Sequence, residues 1–468
     1  MKKRLLKGKA AAGILLLLLL VATGLLLQAF DNGLYRADAG PVEQTGAAAG
    51  GSGGEKVTID FWFPWSGGFK QEFYETVVSS FEEENPDIKV RMTFVENSDN
   101  SQASDKLLTA IAGGSGPDVA LFDRFVVNEW AAKGALEDVT EQSRKDGMEG
   151  LYYPSVWSET QYRGRTYALP WNVDSRALFY NKTLMEEAGL DPGKPPKTIA
   201  ELDAMAARMF KADSQGKYKQ VGFIPWQAQG FLYTYGWAFG GEWEREGKLT
   251  PDDPANVQAL QWMQEYARKY NAGKLASFSD ELRQAGLNPF LSGRVGFSIE
   301  GNWLLNDTGS ATFEWGVAPM PTVDGKADVT WSGGWSFVMP KGAKHPEQAW
   351  RFMRYVAGRE GSLLWAGRSA AGKYDLTCIP EVNARLGLDT KEHLDVFVKL
   401  LEHARFRPVS PVGGYLWDEM YRVQNLAIKQ QGEPQALLDG LKRKVDAKLD
   451  VLASDGAPVR EDPGQRKN

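Results

Sequence analysis

The chain is predicted to be an α/β protein with more than one domain, and three observations predict this fold class. Its 468 residues, of which 43% are hydrophobic, are enough to bury a sizeable core. Strand-like and helix-like segments alternate from residue 57 to residue 123, which is typical of a parallel sheet with covering helices. In residues 167–182 a strand pattern is interrupted by Pro170-Trp171-Asn172 and Asp174. This interruption favours a crossover between two lobes that exposes Trp171 and Asp174 in a cleft.

The segment from residue 57 to residue 123 is predicted to form a βαβαβ unit. Apolar and polar residues alternate in its strands, whereas its first helix carries apolar residues at helical spacing and ends before Asn85-Pro86. The glycines of residues 113–116 end the second helix. They are not a phosphate loop, since no Lys-Ser/Thr pair follows them. The predicted strands are 57–63, 88–95 and 119–122, and the predicted helices are 69–84 and 106–112.

The remainder of the chain alternates in the same way. Thr198 and Glu201 form a capping-box pattern at the start of a helix that continues to about Phe210. Residues 453–468 are polar, contain two prolines and are predicted to be a disordered tail. Further helices are predicted at 254–270, 346–356, 391–404, 417–430 and 434–449, and further strands at 294–299 and 316–318.

The N-terminal residues have the form of a targeting signal, because five basic residues precede an uncharged apolar run at 10–27. A secretory apolar region usually has about 7–15 residues and a membrane span about 20, so residues 1–30 fit either a cleaved signal peptide or an uncleaved anchor. Residues 31–54 are predicted to be a flexible linker, since 39–54 is rich in Gly and Ala. A tether of this kind favours the anchor, with the N-terminus cytoplasmic and the remainder exported.

Charge and side-chain chemistry exclude several function classes. The net charge is −6, and the five basic residues of 1–30 leave −11 on the remainder, which argues against nucleic acid or anionic lipid as the ligand. Three widely spaced histidines form no metal-site motif, so no metal and no cofactor is predicted. The single cysteine, Cys378, cannot form an intramolecular disulfide and is predicted to be a small buried apolar residue.

Several sequence blocks follow one another in a characteristic order. They are KLLTAIAGGSGPDVALFDRF at 106–125, YNK at 180–182 with EAGL at 187–190, PPKT at 195–198, SGRVGFSIEGNW at 292–303, GVAPMP at 316–321 and GGWSFVMPKGAKHPEQAWRF at 333–352. In this order they closely resemble the family 1 extracellular solute-binding proteins of the maltose and multiple-sugar type, which are the sugar-capturing partners of ABC importers. The resemblance extends from about residue 57 to residue 452.

The resemblance implies a two-lobed fold of the type II periplasmic-binding-protein kind, in which a hinge closes an interlobe cleft over the ligand. By analogy the first lobe takes 55–169 plus 319–366, and the second lobe takes 170–318 plus 367–452. No cysteine follows the apolar run to accept a lipid, and in this respect the chain departs from the many relatives that are lipoproteins.

Aromatic residues next to Gly, Pro or polar residues are the candidates for contact with a sugar. A pyranose ring presents apolar C–H faces, which stack on aromatic rings, and a belt of hydroxyls, which bond carboxylates, amides and Arg. A Trp can equally be an ordinary buried residue. The aromatic candidates are Trp65, Trp171, Trp226, Trp303, Trp335, Tyr415 and Trp417, with Trp243 and Trp331 in the wider set.

The polar candidates follow strand ends or adjoin these aromatic residues. Asp123 and Arg124 follow a predicted parallel strand, whose carboxyl end commonly borders the ligand crevice, and the resemblance puts both at sugar hydroxyls. They can alternatively form an ordinary salt bridge. Asp174 aligns with an acidic ligand-contacting position of maltose-type relatives, or it caps a turn. Glu300 replaces the Asn that those relatives carry, and Gln227 adjoins Trp226.

The predicted function is therefore an extracytoplasmic, non-enzymatic protein that binds a sugar or oligosaccharide and delivers it to the permease subunits of an ABC importer. It is expected to be monomeric and attached to the membrane through its N-terminal segment, or secreted after cleavage. Two alternatives remain open. A secreted glycoside hydrolase would also line a cleft with Trp and paired carboxylates, and a sensory protein that reports its ligand to a membrane receptor would share the same cleft.

Overall fold

The computed structural model describes residues 56–65, 68–96, 105–326, 328–368 and 374–454. The predicted signal or anchor at 1–30 and the linker at 31–54 lie outside the described residues. The tail predicted at 453–468 is wrong in its start, because residues 453 and 454 belong to the helix Pro434–Ser454, and its remainder lies outside the described residues. Within the described ranges, no helix is long and apolar enough to cross a membrane.

Short and long strands alternate with helices along the chain, as the sequence pattern predicts. The strands are β1 Val57–Phe63, β2 Ile88–Phe94, β3 Val119–Asp123, β4 Gln161–Tyr162, β5 Arg165–Thr166, β6 Ala168–Pro170, β7 Asn172–Val173, β8 Arg176–Asn181, β9 Lys211–Ala212, β10 Tyr218–Gln220, β11 Glu244–Arg245, β12 Lys248–Leu249, β13 Phe297–Gly301, β14 Trp315–Ala318, β15 Thr330–Ser332, β16 Trp335–Val338, β17 Leu376–Thr377 and β18 Ala404–Phe406.

The helices cover both sheets, and their starts are set by Pro or by side-chain caps at several positions. The predicted capping box is confirmed, since the Thr198 hydroxyl accepts from Glu201 N–H and the Glu201 carboxylate accepts from Thr198 N–H. The α-helices are Phe69–Phe73, Ser79–Glu84, Asp105–Ala112, Val127–Ala132, Thr140–Lys145, Pro154–Ser158, Lys182–Glu187, Ile199–Arg208, Leu232–Ala238, Pro254–Lys269, Ala272–Gln284, Pro346–Ala357, Arg359–Gly367, Pro380–Arg385, Leu394–Leu401, Gly413–Ile428 and Pro434–Ser454.

The first lobe is built around a five-stranded sheet of order β2-β1-β3-β16-β6. β1 pairs in parallel with both β2 and β3, which confirms the predicted βαβαβ unit. β16 runs antiparallel between β3 and β6 and brings a late segment of the chain back into this lobe. The Phe61 ring packs against Phe73, Phe337 and Phe352 and thereby joins β1 to the covering helices.

The second lobe is built around a three-stranded antiparallel sheet of order β13-β8-β14. Helices with buried apolar faces cover it, among them Pro254–Lys269 and Leu232–Ala238. Two short pairings connect the segments that pass between the lobes. β7 pairs with β17 in an antiparallel manner, and β15 pairs with β18 in a parallel manner. The exact lobe boundaries given above stay a prediction.

Some predicted elements differ from the structure. The strand predicted at 294–299 is wrong in its start, because residues 290–294 form a helical turn with Gly293 at φ 74° and β13 begins only at Phe297. The helix predicted at 391–404 is shorter, since Ala404 already belongs to β18. The helix Ala272–Gln284 was not predicted; its Gly273 and alternating polar residues weaken the helical pattern.

Candidate functional site

Polar and aromatic side chains converge where the first sheet ends and the chain passes between the lobes. Asp123 is the last residue of β3 and lies opposite Trp335, the first residue of β16. The polar residues gathered here are called the crossover cluster below. They are Asp123, Arg124, Glu159, Asp174, Arg176 and Arg407, and all of them are buried.

Arg124, which follows β3 in the first lobe, binds two segments that connect the lobes. Its Nε donates to Glu159 Oε2 at 2.7 Å, its Nη1 to the carbonyl of Asn172 at 3.0 Å and its Nη2 to the carbonyl of Gly333 at 2.7 Å. Burial opposes the charge of this guanidinium, but the adjacent Glu159 carboxylate raises the pKa of Arg124 above its usual value. All of these acceptors belong to the protein, so the geometry indicates a structural ion pair at this position.

Asp123 is bonded to an arginine that the sequence did not single out. Arg407 Nη2 donates to Asp123 Oδ1 at 2.7 Å and to Oδ2 at 3.0 Å, and Oδ1 also accepts from Phe125 N–H at 3.0 Å. Arg407 follows β18, in the third segment that passes between the lobes. Asp123 and Arg124 therefore do form salt bridges, but each pairs with a different residue: Asp123 with Arg407 and Arg124 with Glu159.

Asp174 and Arg176 form the third ion pair of the crossover cluster. Arg176 Nη1 donates to Asp174 Oδ1, which also accepts from Gly333 N–H at 2.7 Å. The remaining Arg176 donors reach Gln229 Oε1 and the Trp331 carbonyl, both at 3.3 Å. Burial lowers the pKa of Arg176 to about 10. Asp174 is buried by these contacts, so the expectation that it is exposed in a cleft is wrong.

Glu300 lies buried near the end of β13, with its Oε1 accepting from the Ser298 hydroxyl at 2.9 Å. Burial raises the pKa of this carboxyl to about 7, partly opposed by the Ser298 hydrogen bond. The next strand residue, Gly301, packs directly beneath the half-buried Trp303 ring, since a Cβ at this position would lie 2.1 Å from that ring.

The first lobe contributes an aromatic group to the site. Trp65 and Trp335 are half-buried, with ring centres 4.7 Å apart in an edge-on arrangement. Trp171 is only 2% exposed, because it packs within 5.6 Å of Phe73, Phe337 and Trp65 and 5.3 Å from Trp365. The expectation that Trp171 is exposed in a cleft is therefore wrong. It is a core residue whose ring packs against the half-buried Trp65.

Trp417 of the second lobe and Trp331 of β15 are both buried beside Arg407. The Trp417 ring stacks on Tyr233 at 5.6 Å and lies edge-on to Phe231 at 5.2 Å, while Trp331 lies 6.3 Å from it. Trp331 Nε1 donates to the Thr234 hydroxyl at 2.9 Å. The other candidate tryptophan, Trp243, is core, with its Nε1 bonded to the Tyr233 carbonyl.

Two predicted residues contact helices of the second lobe, and a third lies in a turn. Trp226 lies edge-on to Tyr266 at 6.3 Å, and Tyr415 packs under the Lys448 ammonium at 4.6 Å. Gln227 lies in the turn that closes with the Gln227 carbonyl accepting from Gly230 N–H. The ion pairs also involve Glu159, Arg176 and Arg407, which were not among the residues predicted from the sequence. Arg176 could have been found, because a charged residue in an apolar strand indicates a buried ion pair.

The cluster contains no arrangement suited to a metal. In the described part of the chain, no group of three or more His, Cys, Asp or Glu residues could hold a metal ion. Cys378 is fully buried, as predicted, and burial raises the pKa of its thiol to about 12. The site thus consists of three arginine–carboxylate pairs without net charge, next to half-buried indole rings.

Comparison with known proteins gives a consistent result. The sequence model described as bacterial extracellular solute-binding protein matches residues 64–362. The maltotriose-binding protein of Pyrococcus abyssi is 25% identical over 342 residues, covering 71% of this chain and 69% of that protein. The sn-glycerol-3-phosphate-binding periplasmic protein of Shigella dysenteriae is 23% identical over 357 residues, covering 71% of this chain and 78% of that protein.

A solved structure shows the same architecture. CpMnBP1 with mannotriose bound is 26% identical, aligns with a TM-score of 0.74 and covers 83% of this chain and 99% of that chain. Because the alignment covers nearly all of that binding protein, it includes both sheets of this chain and the segments that connect the two lobes.

Proposed function

Because the chain belongs to the family of bacterial extracellular solute-binding proteins, we propose that it captures a saccharide between its lobes and delivers it to the permease of an ABC importer. The observation that carries the proposal is the placement of half-buried indole rings from both lobes, Trp65 and Trp335 on one side and Trp303 on the other, around a buried polar cluster.

The chemistry of this arrangement suits a sugar. The half-buried rings of Trp65, Trp335 and Trp303 stack on the C–H faces of pyranose rings. This contact excludes water and needs no charged group. Hydroxyls of the sugar bond acidic side chains, and our first candidates are Asp174 of the crossover cluster and Glu300 of β13. Arg124 and Trp171 act indirectly, since they hold the crossover segments and the rings in place.

Capture is proposed to proceed by hinge closure. The two strand pairs β7–β17 and β15–β18 lie where the chain passes between the lobes, so rotation there brings Trp303 towards Trp65 and Trp335. Closure around a bound saccharide then presents one continuous face made by both lobes, which the permease recognises. The protein acts outside the cytoplasm as a monomer, and the N-terminal segment 1–30 attaches it to the membrane.

We propose binding without hydrolysis. A retaining or inverting glycosidase needs one protonated carboxyl and a second, free carboxylate about 5–10 Å away. Glu300, with its pKa near 7, has the protonation of a general acid. However, Asp123 and Asp174 are each bonded to an arginine, which leaves neither suited to attack at a sugar carbon or to activate water.

A thermal-shift screen of the full chain against mono- and oligosaccharides tests the proposal. A ligand at 100 times its Kd adds about 2.7 kcal/mol to the free energy of unfolding, which raises Tm visibly. The panel includes maltotriose, mannotriose and mannitol, and chromatography of the same mixtures measures hydrolysis. A selective rise in Tm without cleavage supports the proposal. Cleavage of the sugar, or no response to any saccharide, would overturn it.

A further inference from the structure

Arg407 carries a buried hydrogen-bond donor that no protein group satisfies. Its side chain is 2% exposed and its Nη2 is bonded to both oxygens of Asp123, but its Nε has no acceptor among the described residues. Buried donors are nearly always paired, because an unpaired one costs about 1–3 kcal/mol. An arginine nitrogen left in this state at the centre of a binding cluster points to an acceptor supplied by a ligand.

The surroundings of this guanidinium are aromatic. Its central carbon lies 4.2 Å from the ring centre of Phe125, 5.0 Å from that of Trp331 and 5.2 Å from that of Trp417. Phe125 belongs to the first lobe and Trp417 to the second, so Arg407 lies between lobes at the level of the crossover segments. A ligand oxygen that reaches Nε here is therefore flanked by flat apolar surfaces.

The cluster around Arg407 is electrically balanced. Arg124 is paired with Glu159, Arg176 with Asp174, and Arg407 with Asp123. Each arginine thus has its own carboxylate. A phosphate or carboxylate on the ligand would lose its hydration here and would find no net positive charge to compensate for that loss. A hydroxyl or ring oxygen is uncharged, loses much less hydration on burial and can still accept from Nε.

We propose that Arg407 is a specificity-determining residue that donates from Nε to an oxygen of an uncharged saccharide or polyol, and that its pairing with Asp123 excludes phosphorylated and carboxylated sugars. The inference rests on the proposed function and narrows its ligand class. It separates this chain from its glycerol-3-phosphate-binding relative, from which sequence similarity alone does not distinguish it.

Calorimetric titration of the full chain tests this inference with two sets of probes. The uncharged probes are maltotriose, mannotriose and mannitol, and the anionic probes are glycerol 3-phosphate and glucose 6-phosphate. The variant Arg407→Lys keeps a cation for Asp123 but has no second nitrogen at the Nε position. We expect the affinity for the uncharged probe that binds to fall about 10- to 100-fold, as for the loss of a hydrogen bond to a charged donor.

The matched control is Arg422→Lys, which alters a partly exposed arginine paired with Glu419 on the helix Gly413–Ile428 and should leave affinity unchanged. A second variant, Asp123→Asn, removes the neutralising carboxylate. It should raise the affinity for glucose 6-phosphate or glycerol 3-phosphate relative to the unmodified chain. This gain of binding is a readout that a merely structural role of Arg407 would not produce.

The outcomes separate the two proposals. If Arg407→Lys binds an uncharged probe with the same affinity as the unmodified chain, the inference is overturned and the proposed function stands. The same holds if Asp123→Asn gains no affinity for the anionic probes. Tighter binding of an anionic probe than of every uncharged one by the unmodified chain also overturns it. Binding of none of the probes overturns the proposed function, and the inference with it. If Arg407→Lys does not fold, the Asp123→Asn titration decides.

Discussion

The guanidinium carbon of Arg176 lies 3.4 Å from the centre of the Trp331 ring. Arg407 lies 5.0 Å from the same ring, so one indole contacts two cations that belong to different segments of the chain. Each cation is paired with an aspartate, and the indole N–H is bonded to Thr234 of the second lobe. Trp331 therefore connects β15 to both ion pairs and to a helix of the second lobe. In the hinge closure proposed above, the lobes move around this contact.

Removal of the Arg124 side chain should destabilise the fold strongly. Arg124→Met leaves Glu159, which is 2% exposed, without its cation and frees the carbonyls of Asn172 and Gly333. Breaking one partner of a buried pair typically costs about 3–5 kcal/mol. Urea denaturation measures the free energy of unfolding.

The control for this change is Arg144→Met, which removes the partner of Glu141 in a pair exposed at 68% and 83%. Exposed pairs contribute about 0–1 kcal/mol, so this variant should behave like the unmodified chain. Equal losses in the two variants would show that Arg124 does not hold the crossover segments.

Trp171 and Trp335 are both predicted from the sequence to bind the ligand, but their replacement by Ala should affect stability and binding differently. Trp171→Ala removes a buried ring that contacts Phe73, Phe337 and Trp365, so it should cost about 3–5 kcal/mol of stability. Trp335→Ala removes a half-buried ring and should cost less stability but weaken saccharide binding by about 1–2 kcal/mol. Urea denaturation and calorimetric titration of both variants separate the effects. Weak binding with full stability in Trp171→Ala would contradict the assignment.

Much of the fold could be predicted because its elements are local. The alternation in β1 and the capping box at Thr198 each depend on neighbouring residues, and both are confirmed. The family blocks then supplied the two-lobed arrangement. The strand β13 was misplaced because Gly293 adopts a positive φ and ends a turn that the apolar pattern alone does not reveal.

The site could be predicted only in part, because two of its three ion pairs join residues that are distant in the sequence. Asp123 lies 284 positions from Arg407, and Arg124 lies 35 from Glu159. Nothing in the local pattern indicates which cation meets which carboxylate. The sequence also does not distinguish a buried tryptophan, such as Trp171, from a half-buried one, such as Trp335, since each directly follows a Pro or a Gly.

A single added methyl group should disturb the crossover segments. Gly334 has φ 140°, a conformation that L side chains rarely adopt, and a Cβ there would lie 2.1 Å from the Asn172 carbonyl oxygen and 2.8 Å from Arg124 Nη1. Gly334→Ala should therefore cost about 3 kcal/mol or more. Gly342→Ala, at φ 82° with open space around it, should cost only about 1 kcal/mol. Thermal unfolding compares them, and similar Tm values for the two variants would refute the close contact.

The Glu300 carboxyl should make stability depend on pH. Its pKa is about 7 in the folded protein, raised by burial, against 4.5 ordinarily. Between these values the folded state holds a proton that the unfolded state releases, so the contribution of Glu300 is fully present below pH 4.5. It is lost progressively as the pH rises to 7 and stays lost above that. The shift corresponds to at most about 3 kcal/mol.

Glu300→Gln isolates this contribution, because glutamine keeps an oxygen for the Ser298 hydroxyl and carries no charge at any pH. Relative to the unmodified chain, the variant should have a similar free energy of unfolding at pH 4.5 and a higher one at pH 8. The other carboxyl groups titrate alike in both proteins and cancel in the difference. Urea denaturation at the two pH values measures that difference. If it is the same at pH 4.5 and pH 8, Glu300 is ionised in the folded protein and its carboxylate has a cationic or hydrogen-bonding partner besides Ser298.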